Sequence, residues 1–318
     1  METIQEGITE LQKRVGNANI PASRPDNFRL LTWNIRNFNS EKEDRAIKYY
    51  AAIISNFDVI AIQECKDALG GVERLQKELG NNYRFLFSDT SGNGERLLFI
   101  YNTAKVEFTG LAAEVVLDPG SGKDEATAKP ELEFDRTPYM ASFRVKGCNF
   151  ILVTVHIYYG SGSKVKYRLV EIQNVAKYLK KASGDTDALD SDYIICGDFN
   201  IEDVRAAMQA DLKKKKKPST GDADPVEDLF DALLSGGLIV PDDIRNSPTN
   251  LGQDKHYDQI AFMKYKDSTI SFVKGGVIDF NGAVYINDPK LRFKFTDHLP
   301  MWAVFDTKPD KKPKYINP

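Results

Sequence analysis

The sequence predicts one α/β domain built on two β-sheets. Short runs rich in Val, Ile, Phe and Tyr, bounded by Gly, Asn, Asp or Pro, alternate along the chain with helical patterns. No short-period repeat and no shift of composition divides them into modules. Four of the apolar runs end in clusters of polar, chemically capable side chains, as expected of a site assembled on strand ends. The chain has 318 residues and is 42% hydrophobic, enough to bury a substantial core.

Taken in order, residues 2–15 read as a short helix, because Ile4, Ile8, Leu11 and Val15 recur at helical spacing. A linker rich in Asn, Pro and Ala follows, so residues 1–27 form an arm, residues 28–308 the domain and residues 309–318 a polar tail. Strands are predicted at 28–34, 58–63, 83–87, 96–102, 139–146, 149–156, 192–198, 257–264, 269–274 and 299–306. Helices are predicted at 41–55, 70–79, 164–182, 201–212 and 225–235. The clearest is 164–182, where Val165, Leu169, Ile172, Val175, Ala176 and Leu179 form one stripe opposite Lys and Arg.

Composition narrows the function classes. No stretch approaches the roughly 20 apolar residues of a membrane span. The first 27 residues carry no apolar secretory-signal core. Cys65, Cys148 and Cys196 are odd in number and scattered, which does not make a disulfide framework. A reducing compartment such as the cytoplasm is the expectation. A net charge of −3 excludes a strongly basic nucleic-acid binder. The five-lysine run Lys213 to Lys217 reads either as a solvated loop or as a phosphate-steering arm.

The polar clusters are Trp33-Asn34-Ile35-Arg36, Ile62-Gln63-Glu64, Gly197-Asp198-Phe199-Asn200 and Thr296-Asp297-His298. Gathered carboxylates repel unless a cation offsets them, and Mg2+ or Mn2+ takes oxygen ligands while keeping waters for a shared phosphate. Taken singly, each acid also reads as a turn residue, and Asp198 as the N-cap of a helix from 201. Of three histidines, His156 and His298 lie at strand-like ends, where an imidazole can donate a proton or hold a phosphate oxygen. Glu95 and Asp258 are candidate partners that would orient them. Asn34 and Asn200 offer amide donors, and Arg136 reads either as a phosphate clamp or as a surface ion pair.

At these residues the chain resembles the endonuclease/exonuclease/phosphatase superfamily with its deoxyribonuclease I-like fold, and within it the deoxyribonuclease I type. The matching segments run in the family's order from residue 28 to residue 306. They are Trp-Asn-Ile-Arg-Asn-Phe around Asn34, Ile-Gln-Glu at Glu64, Glu-Arg-Leu-Leu-Phe-Ile-Tyr from Glu95, Phe-Asp-Arg-Thr-Pro around Arg136, Gly-Asp-Phe-Asn at Asp198 and Asn200, Tyr-Asp-Gln-Ile at Asp258, and Asp297-His298. The resemblance implies a four-layer sandwich of two packed mixed β-sheets flanked by helices. It implies cleavage of phosphodiesters or phosphomonoesters with Mg2+ (or Mn2+, or Ca2+).

It further implies His156–Glu95 and His298–Asp258 dyads, with Asp198 orienting or deprotonating water. Glu64 and Asp297 would serve the metal, Asn34, Asn200, Arg36 and Arg136 the phosphate. The expected activity is endonucleolytic hydrolysis of DNA by a monomer, the alternative a phosphatase or phosphodiesterase acting on inositol phosphates or lipid head groups. Asn93 and Lys66 stand where deoxyribonuclease I carries groove-contacting Tyr and Arg, which weakens the expectation of duplex preference.

Overall fold

A computed structural model describes residues 3–117, 134–159, 165–185, 190–201, 225–265, 267–285 and 295–311. Along the chain these form α1 (Ile4–Asn17), β1 (Asn27–Phe38), α2 (Asp44–Ile54), β2 (Val59–Lys66), α3 (Gly70–Leu79), β3 (Tyr83–Phe87), β4 (Glu95–Asn102), β5 (Glu107–Glu114), β6 (Tyr139–Val145) and β7 (Cys148–His156). There follow α4 (Val165–Ser183), β8 (Tyr193–Ile201), α5 (Pro225–Ser235), β9 (Leu238–Ile239), α6 (Asp242–Arg245), β10 (His256–Met263), β11 (Ile270–Val277) and β12 (Met301–Thr307).

The strands make two six-stranded sheets, ordered β11-β12-β1-β2-β4-β3 and β5-β6-β7-β8-β10-β9. Each has a parallel pair at its centre, β1 with β2 and β7 with β8. A parallel pair needs a crossover, and α2 and α4 supply them. Alternation along β1 sorts the layers. Phe28 and Leu30 join the core that includes the second sheet, while Leu31, Trp33 and Ile35 pack with α1 and α2 on the outer face. Ile172, Val175, Ala176 and Leu179 of α4 cover the second sheet, so helices flank both sheets in four layers.

A polar link crosses the packed sheets beneath the end that carries the polar clusters. Gln63 Nε2 donates to Thr32 Oγ1 at 3.1 Å and, across the sandwich, to Thr154 Oγ1 at 2.9 Å. A buried amide left unpaired there would cost about 1–3 kcal/mol, so this pairing helps set how the sheets meet.

Every predicted strand is present. The expectation missed β5, whose Gly110-Leu111-Ala112-Ala113 stretch gives little alternation, as well as the two-residue β9 and four-residue α6. Ile201, expected to open a helix, is the last residue of β8, which removes the proposed N-cap role of Asp198. The rest of that predicted helix and the Lys213 to Lys217 run lie outside the described residues. The N-terminal helix docks on α2, with Gln12 Nε2 donating to the Ala52 carbonyl at 2.7 Å and Leu11 and Val15 in the outer core. Cys65, Cys148 and Cys196 are free and buried.

At the opposite end of the strands from the polar clusters, Asp190, Asp192 and Asp310 gather. Asp192 and Asp310 both accept from the Thr269 hydroxyl. Burial and then these acidic neighbours push the Asp190 carboxyl up to about 7, against the hydrogen bond it accepts from the Asp192 amide. A folded-state pKa above the unfolded one contributes stability that is full in acid and lost as pH rises towards 7. Asp190→Asn, which keeps the acceptor, should therefore leave the melting temperature unchanged near pH ~4 and raise it by several degrees at pH ~8. Melts at the two pH values measure this, and an equal shift at both contradicts it.

Candidate active site

Sheet register brings the clusters together. His156 on β7 pairs with Asp198 on β8, and Asp198 pairs with Asp258 on β10, so three predicted site residues form one row across the second sheet. On the first sheet Asn34 pairs with Gln63 beside Glu64, and Glu95 on β4 pairs with Lys66 on β2. The ladders of β1 and β2 shift at Asn34/Phe38 and Ile62/Cys65. Arg36, Asn37, Glu64 and Asn200 all adopt positive φ between 42° and 60°. Such backbone costs of order 1–3 kcal/mol per residue and re-aims side chains away from the pleat.

The centre of the arrangement is Asp198, 1% exposed. Its Oδ2 accepts from Asn34 Nδ2 at 3.0 Å and lies 3.5 Å from His156 Nε2 and 3.7 Å from His298 Nε2. Its Oδ1 accepts from the Asn200 amide at 2.9 Å. Each histidine is tied from behind: His156 Nδ1 lies 3.0 Å from Glu95 Oε2, and His298 Nδ1 lies 2.7 Å from Asp258 Oδ2. Two imidazoles thus present Nε2 to one carboxylate.

Charge follows from these partners. Burial opposes a charged His298, but the Asp258 and Asp198 carboxylates and the Asp258 hydrogen bond outweigh it and push the imidazole up to about 10. These carboxylates favour the protonated form of the imidazole. Burial works against the Glu95 carboxylate too, yet His156, Lys66 and Arg136 hold it well below the usual range.

The turn carrying Asp297 and His298 is pinned at two carbonyls. Phe295 O accepts from Lys42 Nζ at 2.9 Å and Tyr50 Oη at 2.5 Å, and His298 O accepts from Trp33 Nε1 at 2.9 Å. Burial lowers Lys42 to about 8, against the pull of Glu64 and Asp297. Thr296 Oγ1 donates to Asn34 O at 2.7 Å, coupling the turn to β1.

Two residues expected to hold phosphate are already engaged inside the fold. Asn34, expected to hold phosphate, is fully buried and spends its amide hydrogens on Glu64 Oε1 at 2.9 Å and on Asp198. It ties two acids together instead of offering a free donor. Arg136, read as a phosphate clamp or a surface ion pair, is buried. It gives Nε to Glu95 at 2.6 Å and Nη1 to Asp135 at 3.0 Å, so it backs the His156 dyad. Asn200 gives Nδ2 to the Ile157 carbonyl at 2.7 Å. Arg36 is half-exposed and pairs with Asp297 at 3.0 Å.

Sequence reasoning did not find Lys66 as a partner of Glu95 (2.8 Å), nor the buried pair Arg168 and Glu171 on α4. The one signal for Lys66 was its place two residues beyond Glu64. Nothing local marked the other two.

The donors fit a hard divalent cation at Glu64. Its two oxygens are oriented by Asn34 Nδ2 and the Asn37 amide (2.8 Å), and Asp297 lies on the same side of the site. Asp198, Asp258 and His298 also place ligand atoms within 4.8 Å of one another. Mg2+, Mn2+ and Ca2+ prefer oxygen ligands, which the Glu64 side offers without an imidazole.

The sequence pattern of the Endonuclease/Exonuclease/phosphatase family matches residues 31–298. A deoxyribonuclease of Thioalkalivibrio sp. (strain K90mix) is 27% identical over 307 residues, covering 90% of this chain and 73% of that one. The human nocturnin catalytic domain superposes with a TM-score of 0.59 at 15% identity, covering 91% of this chain and 97% of that one. The Bacteroides thetaiotaomicron mannosyl-6-phosphatase gives 0.57 at 17% identity, covering 87% and 99%. Both solved structures share the two-sheet sandwich. Among the described residues no helix is long and apolar enough to cross a membrane.

Gly197 tests the geometry. At φ 138°, a Cβ added there would lie 2.1 Å from the Val155 carbonyl oxygen, against the backbone of the neighbouring strand. Gly197→Ala should force β7 from β8 next to both His156 and Asp198. A stability loss of at least about 2 kcal/mol is expected, read as a lower urea midpoint. An unchanged midpoint would refute the close approach.

Proposed function

Because this chain belongs to the endonuclease/exonuclease/phosphatase family, a family of hydrolases acting on phosphoester bonds, we propose that it is a divalent-metal-dependent phosphodiesterase, an endonuclease that hydrolyses DNA. The observation that carries this reading is the convergence of two histidine–acid dyads on the single buried carboxylate of Asp198. The deoxyribonuclease similarity supports DNA as the substrate.

In this reading Glu64, with Asp297, holds the cation, which when bound offsets charge on the phosphate oxygens. Asp198 orients the attacking water and accepts its proton. Asn200 stands beside Asp198 on the same strand as a further polar group for the water or phosphate. His298, whose charged form the Asp258 and Asp198 carboxylates favour, faces the phosphate able to protonate the leaving oxygen. His156, fixed through Nδ1 on Glu95, turns Nε2 to the phosphate from the other side. Arg36 meets the incoming anion, while Lys66 and Arg136 keep Glu95 charged so that His156 stays oriented.

The competing reading is a phosphatase acting on small phosphomonoesters such as inositol phosphates, supported by the fold likeness to a mannosyl-6-phosphatase. A substrate panel separates them. Supercoiled plasmid, single-stranded DNA, RNA, abasic duplex and inositol phosphates should show the highest kcat/KM on DNA in Mg2+ or Mn2+. A clear preference for inositol phosphates would overturn the nuclease reading.

His156→Ala should slow plasmid nicking by roughly 10²- to 10⁴-fold with an unchanged circular dichroism spectrum. Residual nicking at the wild-type rate would remove His156 from the mechanism. Glu64→Gln should abolish the Mn2+ binding isotherm seen by calorimetry, a readout independent of turnover. Retained binding would place the cation elsewhere.

A further inference from the structure

Side-chain hydrogen bonds join the two sheets near the polar clusters on two adjacent pairs of strands. Asn34 Nδ2 on β1 reaches Asp198 Oδ2 on β8 at 3.0 Å. Gln63 Nε2 on β2 reaches Thr154 Oγ1 on β7 at 2.9 Å. Asn34 and Gln63 are partners in the β1–β2 ladder. Thr154 is the partner of Cys196, two residues before Asp198, in the β7–β8 ladder. Gln63 immediately precedes Glu64, and Thr154 lies two residues before His156 on the same face of its strand. Two residues of strand rise about 7 Å, so the second bond lies one pleat repeat below the site. Thr32, Gln63 and Thr154 are all 0% exposed.

Core packing alone does not call for this link. The inward positions further down the same strands are apolar: Phe28 and Leu30 on β1, Val59 and Ala61 on β2, Phe150 and Leu152 on β7. Apolar contacts carry no direction, whereas a hydrogen bond fixes both a distance and an angle. The Asn34–Asp198 bond holds β1 to β8 at one point, about which the sheets could still turn. The Gln63–Thr154 bond fixes a second point, on β2 and β7, and so removes that turn. Those two strands carry Glu64, whose oxygens fit a cation, and His156, whose Nε2 lies 3.5 Å from Asp198 Oδ2. Gln63 is itself held in place, because Nε2 also donates to Thr32 Oγ1 at 3.1 Å.

We propose that Gln63 and Thr154 are positioning residues for the reaction: their hydrogen bond sets the separation between Glu64 on one sheet and His156 on the other. This deepens the nuclease reading above and rests on it. Neither side chain touches substrate in this assignment. Loss of the link leaves the groups of each sheet in place and shifts one set against the other. Binding of cation and DNA then survives, while the geometry of the reacting atoms is lost.

The test is steady-state plasmid nicking in Mn2+ by wild type, Thr154→Val, Thr154→Ser, Gln63→Met and the Thr154→Val/Gln63→Met double variant, with Mn2+ calorimetry and melting temperatures recorded alongside. Thr154→Val keeps the shape and removes the acceptor, and should lower kcat about 10- to 100-fold with KM within about threefold. Its Mn2+ affinity should stay within about threefold of wild type, because Thr154 lies on the other sheet from Glu64. Thr154→Ser, which keeps the hydroxyl, should restore kcat. Gln63→Met removes the link from the first sheet and carries the test if Thr154→Val does not fold. It should show the same fall in kcat, and the double variant no further fall. An unchanged kcat in Thr154→Val, a serine variant no better than valine, or losses that multiply in the double variant overturns the positioning role alone. So does loss of Mn2+ binding in Thr154→Val, or a rise in KM without a fall in kcat. Absence of nicking by wild type overturns the nuclease reading and the positioning role with it.

Discussion

Carboxylates crowded at one end of a β-sandwich repel one another, and the structure is organised around tolerating that repulsion. Glu64, Glu95, Asp198, Asp258 and Asp297 converge from five segments. Each is met by a donor fixed elsewhere in the fold: Asn34 and the Asn37 amide on Glu64, Lys66 and Arg136 on Glu95, Asn34 and the Asn200 amide on Asp198, His298 on Asp258, Arg36 on Asp297. Removing one partner from such a set leaves a buried charge uncompensated, which is far costlier than the bond itself is favourable. The same unspent negative charge suits the site to a hard cation and, through that cation, to a phosphate.

The backbone cooperates by abandoning regular pleating where the side chains must turn inward. Positive φ at Arg36, Asn37, Glu64 and Asn200 and the ladder shifts in β1 and β2 fall at the end that carries the polar clusters, while the lower parts of the same strands pair regularly. The strain persists because Trp33, Lys42 and Tyr50 clamp the Asp297–His298 turn and Arg168 clamps the carbonyls of Tyr158, Tyr159 and Asn200. None of these clamping groups is needed for the chemistry of phosphoester cleavage, but all decide where its groups stand.

Much of this was legible from residues alone. Strand runs ending in Asn34, Glu64, His156 and Asp198 alternate with amphipathic helices, so the elements and the polar ends were visible as local patterns. β5 escaped because Gly110 and the paired alanines give neither β-branched density nor alternation. Asn34 and Arg136 were given phosphate roles because amide and guanidinium groups match phosphate chemistry. The fold instead buries both against acids that lie 30 or more residues away in sequence. Arg168 and Glu171 looked like the polar side of a surface helix, yet both are buried against loops whose approach no local pattern encodes.

The sequence by itself determined which segments become strands and helices, because side-chain period and turn residues are local properties. It also determined which residue types were available for metal and proton chemistry, because those are properties of single side chains. The tertiary structure decided which acid faces which histidine, which amides are spent on acids, and that one buried arginine lies under the ring of Tyr159. Those outcomes depend on sheet register and on the crossing of two sheets. There, distances of about 3 Å between residues far apart in the chain are set by the packing of the whole core, and no short stretch of sequence carries that information.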